Sequence, residues 1–504
     1  MAPEPRAAEQ RLHPFSWLFV LLTQLRSAAF PLIVFLIWGT GEWWEMFILV
    51  AALALALYSF VYSFGFRYRI DADELLVREG IFDRTERHIP FARIQNIARR
   101  SNLLHRLFAV TELRLESGGG IKPEAVMKVL RVRDADALVA ILRSGHAATS
   151  SAVTGSAGEA QTLLTLPPAE LIRLGLISNR GMVVVAGAFA AVAQFEPSNL
   201  GQAWRLPFNW VEDAFGVVVA QHFGTLTMIV VVAILLLALF AVLRLLSIVL
   251  AVLMHFGFRL EREGDRLGAG GGLLTHAHGS ARVDRLQMLR IDESLLHRFF
   301  RRMNLRTDVA GGVREYNDAS GKLHWLAPIG TPAQIDALLA NILGAPALAD
   351  LPWRPLHPRA AHRRARWPIT FALLGAAILI FWFGAVGLLP LLAVPWFALS
   401  ARGWARFSRY AMDDRFLAWR EGWWSRTYAL IELDKVQAVE FQQSPFDRRR
   451  GMAGIAIDSM AADALGRGIH IPYLPVAEAR ALFAVLSRRA AGNPLGTATS
   501  PITA

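Results

Sequence analysis

Long uncharged, apolar runs are the feature that most constrains what this chain can fold into. A bilayer core about 30 Å thick needs roughly 20 apolar residues in one helix. Met46–Phe66 is long enough for one span, and Trp367–Ala401 is long enough for two. The other apolar runs are Ser27–Gly41, Gly181–Phe195 and Ala214–Leu243. The sequence therefore predicts three transmembrane helical hairpins, and it leaves open whether the short first helices cross completely.

Basic residues lie on one side of these runs. The predicted hairpin turns are Gly39–Glu45, Glu196–Asp213 and Gly384–Pro390. They contain one basic residue, Arg205, whereas arginines cluster at the opposite ends of the runs. Because loops rich in lysine and arginine stay in the cytoplasm, both termini and all large hydrophilic segments are predicted to be cytoplasmic. A cleaved signal peptide at Phe15–Leu22 is the alternative for the first run, but the preceding leader carries acidic residues.

The chain also repeats itself. Shifted by 192 residues, Leu103–Arg106 coincides with Leu295–Arg298, and further residues match around it without gaps. Shifted by 342 residues, Arg78–Gly80 coincides with Arg420–Gly422. Such periodicity indicates one structural unit used several times. We therefore expect each hairpin to be followed by a copy of the same small soluble domain.

Each copy has the pattern of short strands with a common signature, which is a basic residue, an aliphatic, glutamine, any residue and an aliphatic. The signature occurs at Arg93–Ile97, Arg285–Leu289 and Lys435–Val439. In a regular strand, aliphatics two apart face one side and the glutamine faces the other. We expect structural roles for the matching residues of the three copies, which are Gln95, Gln287, Gln437, Gly80, Gly272 and Gly422.

Each copy closes with an amphipathic helix. In the second copy, Thr331 is a predicted cap, and Pro332 suits the first helical position. The same copy departs from the pattern at Gly268–Gly272, which predicts a loop, and it leaves open whether this copy keeps an intact first β-hairpin and a binding surface. The predicted divisions are an N-terminal segment with the first hairpin (1–65), module 1 (66–145), a flexible linker (146–166), the second hairpin (167–255), module 2 (256–345), a Pro/Arg-rich connector (346–366), the third hairpin (367–404), module 3 (405–490) and a disordered tail (491–504).

Two segments carry a resemblance to a known family. The strand signature followed by Ser444–Ala453, together with Leu12–Pro14 near the start, resembles bacterial pleckstrin-homology-like (PH-like) multi-pass membrane proteins of the YdbS/YdbT type. The resemblance implies an α+β protein of the bacterial inner membrane. In it, each transmembrane hairpin would precede a seven-stranded, strongly bent PH-like sheet or barrel capped by a C-terminal helix. It implies no particular ligand, because these relatives are grouped by fold.

Basic residues of the third copy are the strongest candidate for a binding site. Basic side chains near a membrane surface attract anionic phospholipid headgroups, each contributing about 1 kcal/mol. The alternative is a solvated cytoplasmic face with no ligand. The candidate contacts are Arg420, Arg426, Arg448, Arg449 and Arg450.

No residue set predicts catalysis, a metal site or a cofactor. Cysteine is absent, and His105 and His297 of the repeated Leu-Leu-His-Arg segment are better explained by a turn or short helix anchored by the leucines. His276 and His278 alone are too few for a metal site. The net charge of +12 is explained by the flanks of the apolar runs, so no nucleic-acid partner is expected.

The predicted function is therefore that of a non-enzymatic membrane scaffold or adaptor. It would present three cytoplasmic PH-like modules to proteins or to anionic lipid, with weak contacts adding by avidity. The alternative is a transporter or channel component whose six helices line a path. That alternative is disfavoured because the long apolar runs lack Asp, Glu, Lys and Arg, which transport paths commonly place at membrane depth.

Overall fold

Three similar sets of strands, each ended by a helix, make up most of the described chain. The computed structural model describes residues 10–11, 13, 15–22, 50, 53–55, 57–61, 65–71, 74–80, 84–91, 94–117, 125–149, 161–195, 225–309, 325–459 and 468–492. Several predicted features lie outside these residues, namely the run Ser27–Gly41, the turns Gly39–Glu45 and Glu196–Asp213, and the tail beyond 492.

The first module is preceded by a two-residue strand and begins after the first apolar run. Its elements are β1 (Gln10–Arg11), β2 (Arg67–Ile70), β3 (Glu74–Glu79), β4 (Thr85–Pro90), β5 (Ile94–Asn102), α1 (Leu103–Leu107), β6 (Val110–Ser117), β7 (Ala125–Arg131) and α2 (Val132–Thr149).

The second and third modules repeat this order. The second set is β8 (Gln161–Thr165), α3 (Pro168–Ile177), α4 (Arg180–Phe195), α5 (Thr225–His255), β9 (Arg259–Glu263), β10 (Arg266–Gly271), β11 (Thr275–Arg282), β12 (Leu286–Glu293), α6 (Leu295–Phe300), β13 (Met303–Val309), β14 (Trp325–Gly330) and α7 (Pro332–Leu343). The third set is β15 (Arg354–Pro355), α8 (Ala360–Phe383), α9 (Ala393–Phe407), β16 (Arg409–Met412), β17 (Phe416–Gly422), β18 (Arg426–Glu432), β19 (Ala438–Gln442), α10 (Pro445–Arg448), β20 (Met452–Asp458), β21 (Ile469–Pro475) and α11 (Val476–Gly492).

The sheets do not stop at the module boundaries, which corrects the prediction of one separate bent sheet per module. The strand orders are β1-β2-β3-β4, β7-β6-β5-β11-β10-β9-β8, β14-β13-β12-β18-β17-β16-β15 and β19-β20-β21. The two seven-stranded sheets therefore combine the second half of one module with the first half of the next. All pairings are antiparallel, so local hairpins are joined edge to edge.

Two strand pairs make these junctions, which we call joint 1 and joint 2. In joint 1, β5 pairs with β11 from Arg99↔His278 to Asn102↔Thr275. In joint 2, β12 pairs with β18 from Met288↔Ile431 to Glu293↔Arg426. Joint 1 has four paired positions and joint 2 has six.

Burial follows the same division. The core of the first module combines both of its sheets with α2, through Leu75, Leu113 and Leu138. The core of the second module continues across joint 2 and includes Phe416 and Leu430 of the third. The second and third modules are therefore packed as one unit, because apolar surface is removed from water across their junction.

The signature glutamines sit at β-bulges, which corrects the prediction that they alternate within a regular strand. The pairing of β5 with β6 skips Gln95, and that of β12 with β13 skips Gln287. In the third module, the N–H of Gln437 donates to the Asp458 carbonyl (3.0 Å), the residue that also opposes Ala438. A bulge adds one residue to one strand and bends it, so each glutamine marks where the sheet bends.

Glycine-rich residues of the second module form a strand, so the predicted loop at Gly268–Gly272 is wrong. β10 pairs with β9 and β11, and the first hairpin of this module is intact. A Cβ on Gly271 would lie 3.0 Å from the Phe258 Cα, so glycine permits this close packing. The three repeat glycines end equivalent strands with positive φ, which is 92° at Gly80, 118° at Gly272 and 121° at Gly422.

Two segments predicted to lie between folded units contribute strands. β8 belongs to the predicted linker 146–166 and pairs with β9. β15 belongs to the predicted connector 346–366 and pairs with β16. Each module therefore gains a short strand from the chain that precedes its helices, as β1 also pairs with β2.

Apolar helices project from the sheets. Within the described residues, Val232–His255 and Ala360–Phe407 are long and apolar enough to cross a membrane, and only 6% of the most apolar window of each is buried. α8 and α9 are joined by the 3-10 turn Gly384–Leu392 and pack together as a hairpin. The C-terminal part of α5 packs closely on α3. A Cβ on Gly175 of α3 would lie 2.3 Å from the Ile248 Cα of α5.

Candidate functional site

A short turn in the third module is held against the base of the third hairpin. We call Ser444–Arg450 the arginine turn. The Ser444 hydroxyl accepts a hydrogen bond from the Asp447 N–H (3.2 Å) and caps α10. The Asp447 carboxylate pairs with Arg363 of α8 (2.7 Å). Burial opposes ionisation of Asp447, but the hydrogen bond from Ser444 and the Arg363 charge hold its pKa below the usual value.

The arginine turn lies where α8 changes from charged to apolar. The Arg366 guanidinium stacks over Phe446 of the turn (4.1 Å) and also lies 5.5 Å from the ring of Trp367. α8 is uncharged from Trp367 to its end at Phe383. Arginine and tryptophan favour the interface between headgroups and hydrocarbon. The turn is thus at the height where a headgroup layer would begin.

Three consecutive arginines project from this turn. Arg448 and Arg449 are exposed and Arg450 is half-buried. Among the residues that the structure describes, none of the three has an ion-pair partner. Their charge is therefore available to an anion such as a phosphate, with which arginine makes strong bidentate hydrogen bonds.

Arg420 and Arg426 do not belong to the arginine turn and contact other residues. Both guanidinium groups stack on Phe407, at 5.0 Å and 4.4 Å, and Arg420 also covers Trp353 (4.6 Å). Arg426 pairs with Glu293 across joint 2 (3.4 Å). The ion pair ties Arg426 to joint 2, whereas Arg420 covers Phe407 and Trp353 beside the third hairpin. Arg448–Arg450 belong to the arginine turn.

Three tryptophans cluster where the β17–β18 hairpin meets α9. Trp396 of α9 lies 5.3 Å from both Trp423 and Trp424, measured between ring centroids. Trp423 packs partly into the core, whereas Trp424 is 44% exposed. A Cβ on Gly403 would lie 2.2 Å from the Trp423 ring, so glycine permits this contact. The cluster fixes the hairpin tip beside the apolar helices.

The Leu-Leu-His-Arg segments form short helices that begin where the joint strands β5 and β12 end. The histidines anchor both segments, and Leu296 alone of the four leucines packs against a core, which corrects the expectation that both leucines anchor each turn. His105 and His297 are buried, whereas Leu103 is 52% and Leu295 40% exposed. The Ser294 hydroxyl lies 2.8 Å from His297 Nδ1 and caps α6, the part that Ser444 and Asp447 play in the third module.

The arginine of each segment reaches into the next module, a role that the sequence reasoning missed. Arg106 donates a hydrogen bond to the Leu273 carbonyl (3.3 Å), and Arg298 donates to the Trp423 carbonyl (3.4 Å). The two acceptors occupy equivalent positions of the repeat. The recurrence of arginine after Leu-Leu-His was the available signal, but it does not name the partner.

Metal or catalytic chemistry gains no support from the histidines. His276 and His278 lie on β11, opposite Ser101 and Arg99 in joint 1. Across the described ranges, no group of three His, Asp or Glu side chains is placed to hold a metal ion. Burial lowers the pKa of His297 to about 4, which suits a neutral capping residue.

Comparison with known proteins agrees with this repeated architecture. The bacterial PH domain matches three times, over residues 18–146, 208–339 and 369–490. The chain belongs to the bacterial PH domain family. It is 22% identical over 404 residues to the UPF0699 transmembrane protein YdbT of Bacillus subtilis (strain 168), covering 76% of this chain and 77% of that protein. No solved structure gives a match.

The family accounts for the repeat and for the apolar helices together. The predicted resemblance to bacterial PH-like membrane proteins is confirmed. Each of the three matches includes a long apolar run, whole or nearly whole, as well as most or all of the PH module that follows it. The chain is therefore a membrane-associated protein built from three PH modules.

Proposed function

We propose that this chain is a multi-pass protein of the bacterial inner membrane that holds three PH modules together at the cytoplasmic face. There it would act as a non-enzymatic scaffold or adaptor for anionic lipid or for other proteins. The continuity of the sheets carries this proposal. Modules that share a sheet must lie on one side of a bilayer, so the chain has to cross an even number of times between them.

The apolar helices support hairpin crossings. The α8–α9 pair leaves the sheets and returns to them, as two crossings require. α5 enters the second module directly, so one further crossing has to precede it, and α4 is the candidate. The basic flanks of these runs favour the cytoplasm for the modules.

A transport path is less well supported. It would need ionisable groups at membrane depth. Arg244 of α5 instead donates hydrogen bonds to the carbonyls of Leu176 and Ser178, each 3.0 Å away, at the end of α3. That contact holds α5 against α3, so Arg244 has a structural role.

The arginine turn supports lipid binding. A double substitution, Arg448→Glu with Arg449→Glu, tests it in the full-length protein. Titration with phosphatidylglycerol, followed by native mass spectrometry, should show binding about 10- to 30-fold weaker, because each basic residue contributes about 1 kcal/mol. Phosphatidylcholine binding should not change.

Arg488→Glu with Arg489→Glu is the matched control. Both residues are exposed on α11, so the net charge changes equally away from the turn. Equal weakening by both double variants would show that general charge, rather than the arginine turn, governs the interaction.

A further inference from the structure

The two joints are made from equivalent strands. In both, the strand that follows the signature bulge of one module (β5 or β12) pairs with the third strand of the next module (β11 or β18). The repeat gives each of these strands a third equivalent. β19 is equivalent to β5 and β12, and β4 is equivalent to β11 and β18. Two of the three strands in each set therefore form joints within the chain, and the third, β19 or β4, does not.

These two remaining strands end their sheets. Within the described ranges, β4 is the last strand of its four-stranded sheet, and β19 is the first of its three-stranded sheet. They belong to different sheets and do not pair with each other in one copy. An edge strand exposes a row of unpaired backbone N–H and C=O groups, which can pair with another chain.

Both joints use the same register. Arg100 pairs with Ala277 in joint 1, and Asp292 pairs with Thr427 in joint 2. The repeat aligns Arg100 and Asp292 with Gln442, and Ala277 and Thr427 with Thr85. Each joint independently places Gln442 opposite Thr85. Because a one-residue slip would turn every side chain to the other face, this agreement defines one specific pairing.

The side chains of the two edges suit each other in that register. β4 exposes Thr85–His88, and β19 exposes alternate residues, including Glu440 and Gln442. The shared register sets Glu440 opposite Arg87, and opposite charges across antiparallel strands are favourable. The contact would be polar, like joint 1.

The arginine turn adds a second element of the same joint. Arg106 and Arg298 each bond the hairpin tip of the following module. Arg448 is the equivalent residue of the third module and lies within the arginine turn, which follows β19. It is exposed, so it can make the same contact to a following module.

We propose that β19 of one copy pairs with β4 of a second copy, in the register of joints 1 and 2, and so joins chains head to tail. Such a contact is heterologous, and it generates either a ring or an open row. The proposal rests on the proposed function only in that neighbouring copies share one membrane face.

Cysteine cross-linking tests this pairing directly, because the chain has no cysteine. Thr85→Cys and Gln442→Cys are placed on two differently tagged copies and expressed together. Directly opposed residues of antiparallel strands have Cα atoms about 4.5–5.5 Å apart, within disulfide range. Mild oxidation of isolated membranes should give a dimer that carries both tags.

The matched control pairs Thr85→Cys with Ala438→Cys. Ala438 lies four residues along β19 from Gln442, roughly 13 Å away, and should not link. One chain that carries both Thr85→Cys and Gln442→Cys should give a ladder of dimers and larger species. Linking no greater than in the control, or a link only within single chains, would overturn the proposal.

A charge exchange sharpens the test. Arg87→Glu should lower the yield of the cross-link about two- to fivefold, because it places like charges opposite each other. Adding Glu440→Arg on the partner should restore it. This readout is independent of phosphatidylglycerol binding. Cross-links in a parent protein that does not bind phosphatidylglycerol would reject the lipid site alone, and phosphatidylglycerol binding without cross-links would reject the assembly alone.

Discussion

Joints 1 and 2 have the same topology but different chemistry. Joint 2 buries Leu289 and Leu430 on facing strands, with 1% and 2% of their surfaces exposed. Apart from Ala277, joint 1 pairs polar residues, and His276 at its centre is exposed. The repeat therefore fixes which strands meet and in what register, whereas the side chains fix how strongly the modules are coupled.

Further contacts strengthen joint 2. Lys435 donates a hydrogen bond to the Leu286 carbonyl (2.6 Å), and Thr427 donates to Asp292 (3.2 Å). Trp353, just ahead of the third hairpin, packs on Tyr428 with ring centroids 6.4 Å apart. Modules 2 and 3 should consequently unfold together, and module 1 should separate from them more easily.

The largest expected effect comes from a charge placed in joint 2. Leu430→Asp buries a carboxylate without a partner and should destabilise the second and third modules by about 3–5 kcal/mol. Thermal unfolding in detergent micelles measures this as a lower Tm. Ala277→Asp is the control in joint 1, where the new carboxylate faces Arg100 and should cost under about 1 kcal/mol. Equal losses at the two joints would remove the distinction between them.

A smaller effect is expected from acid acting beside joint 2. Burial is the main cause that lowers the pKa of His297 from 6.5 to about 4, with Asp292 opposing it and Arg306 adding to it. Between pH 4 and 6.5, the His297 imidazole is therefore protonated in the unfolded chain but neutral in the folded module. Stability should fall as the pH drops from 6.5 toward 4, by on the order of 2 kcal/mol.

His297→Asn is the informative variant, because it keeps a polar side chain beside Ser294 but does not titrate. Tm measured from pH 7 to pH 4 should decline less in this variant than in the parent protein. An unchanged decline would show that other groups cause the acid sensitivity.

The repeat, the apolar runs and the strand-then-helix order were readable from sequence, for local reasons. Helix signals are short-range, and the predicted cap at Thr331 with Pro332 is confirmed, including a reciprocal hydrogen bond with Gln334. The recurrence of Leu12–Pro14 as Leu356–Pro358 also marks the short strands β1 and β15. The sequence analysis used only Leu12–Pro14 as a family feature and did not use its recurrence at Leu356–Pro358.

The sharing of sheets could not be read in the same way. β11 could pair with the bulged strand of its own module or of the preceding one, and alternation along the strand satisfies both. The glycines of β10 gave a false loop signal, because the close approach of His278 and Phe258 is a tertiary contact. The arginine turn was found from its charge, whereas the ion pair of Arg426 in joint 2 depends on Glu293, a residue 133 positions away.

Placement of all three modules on one side of the membrane is the central claim. Single cysteines at exposed positions of the three C-terminal helices test it: Arg133→Cys, Ala333→Cys and Arg480→Cys. A membrane-impermeant maleimide should label none of them in intact cells and all of them after permeabilisation. Labelling of any one from outside would contradict the cytoplasmic placement, and a different result among the three would contradict the shared sheets themselves.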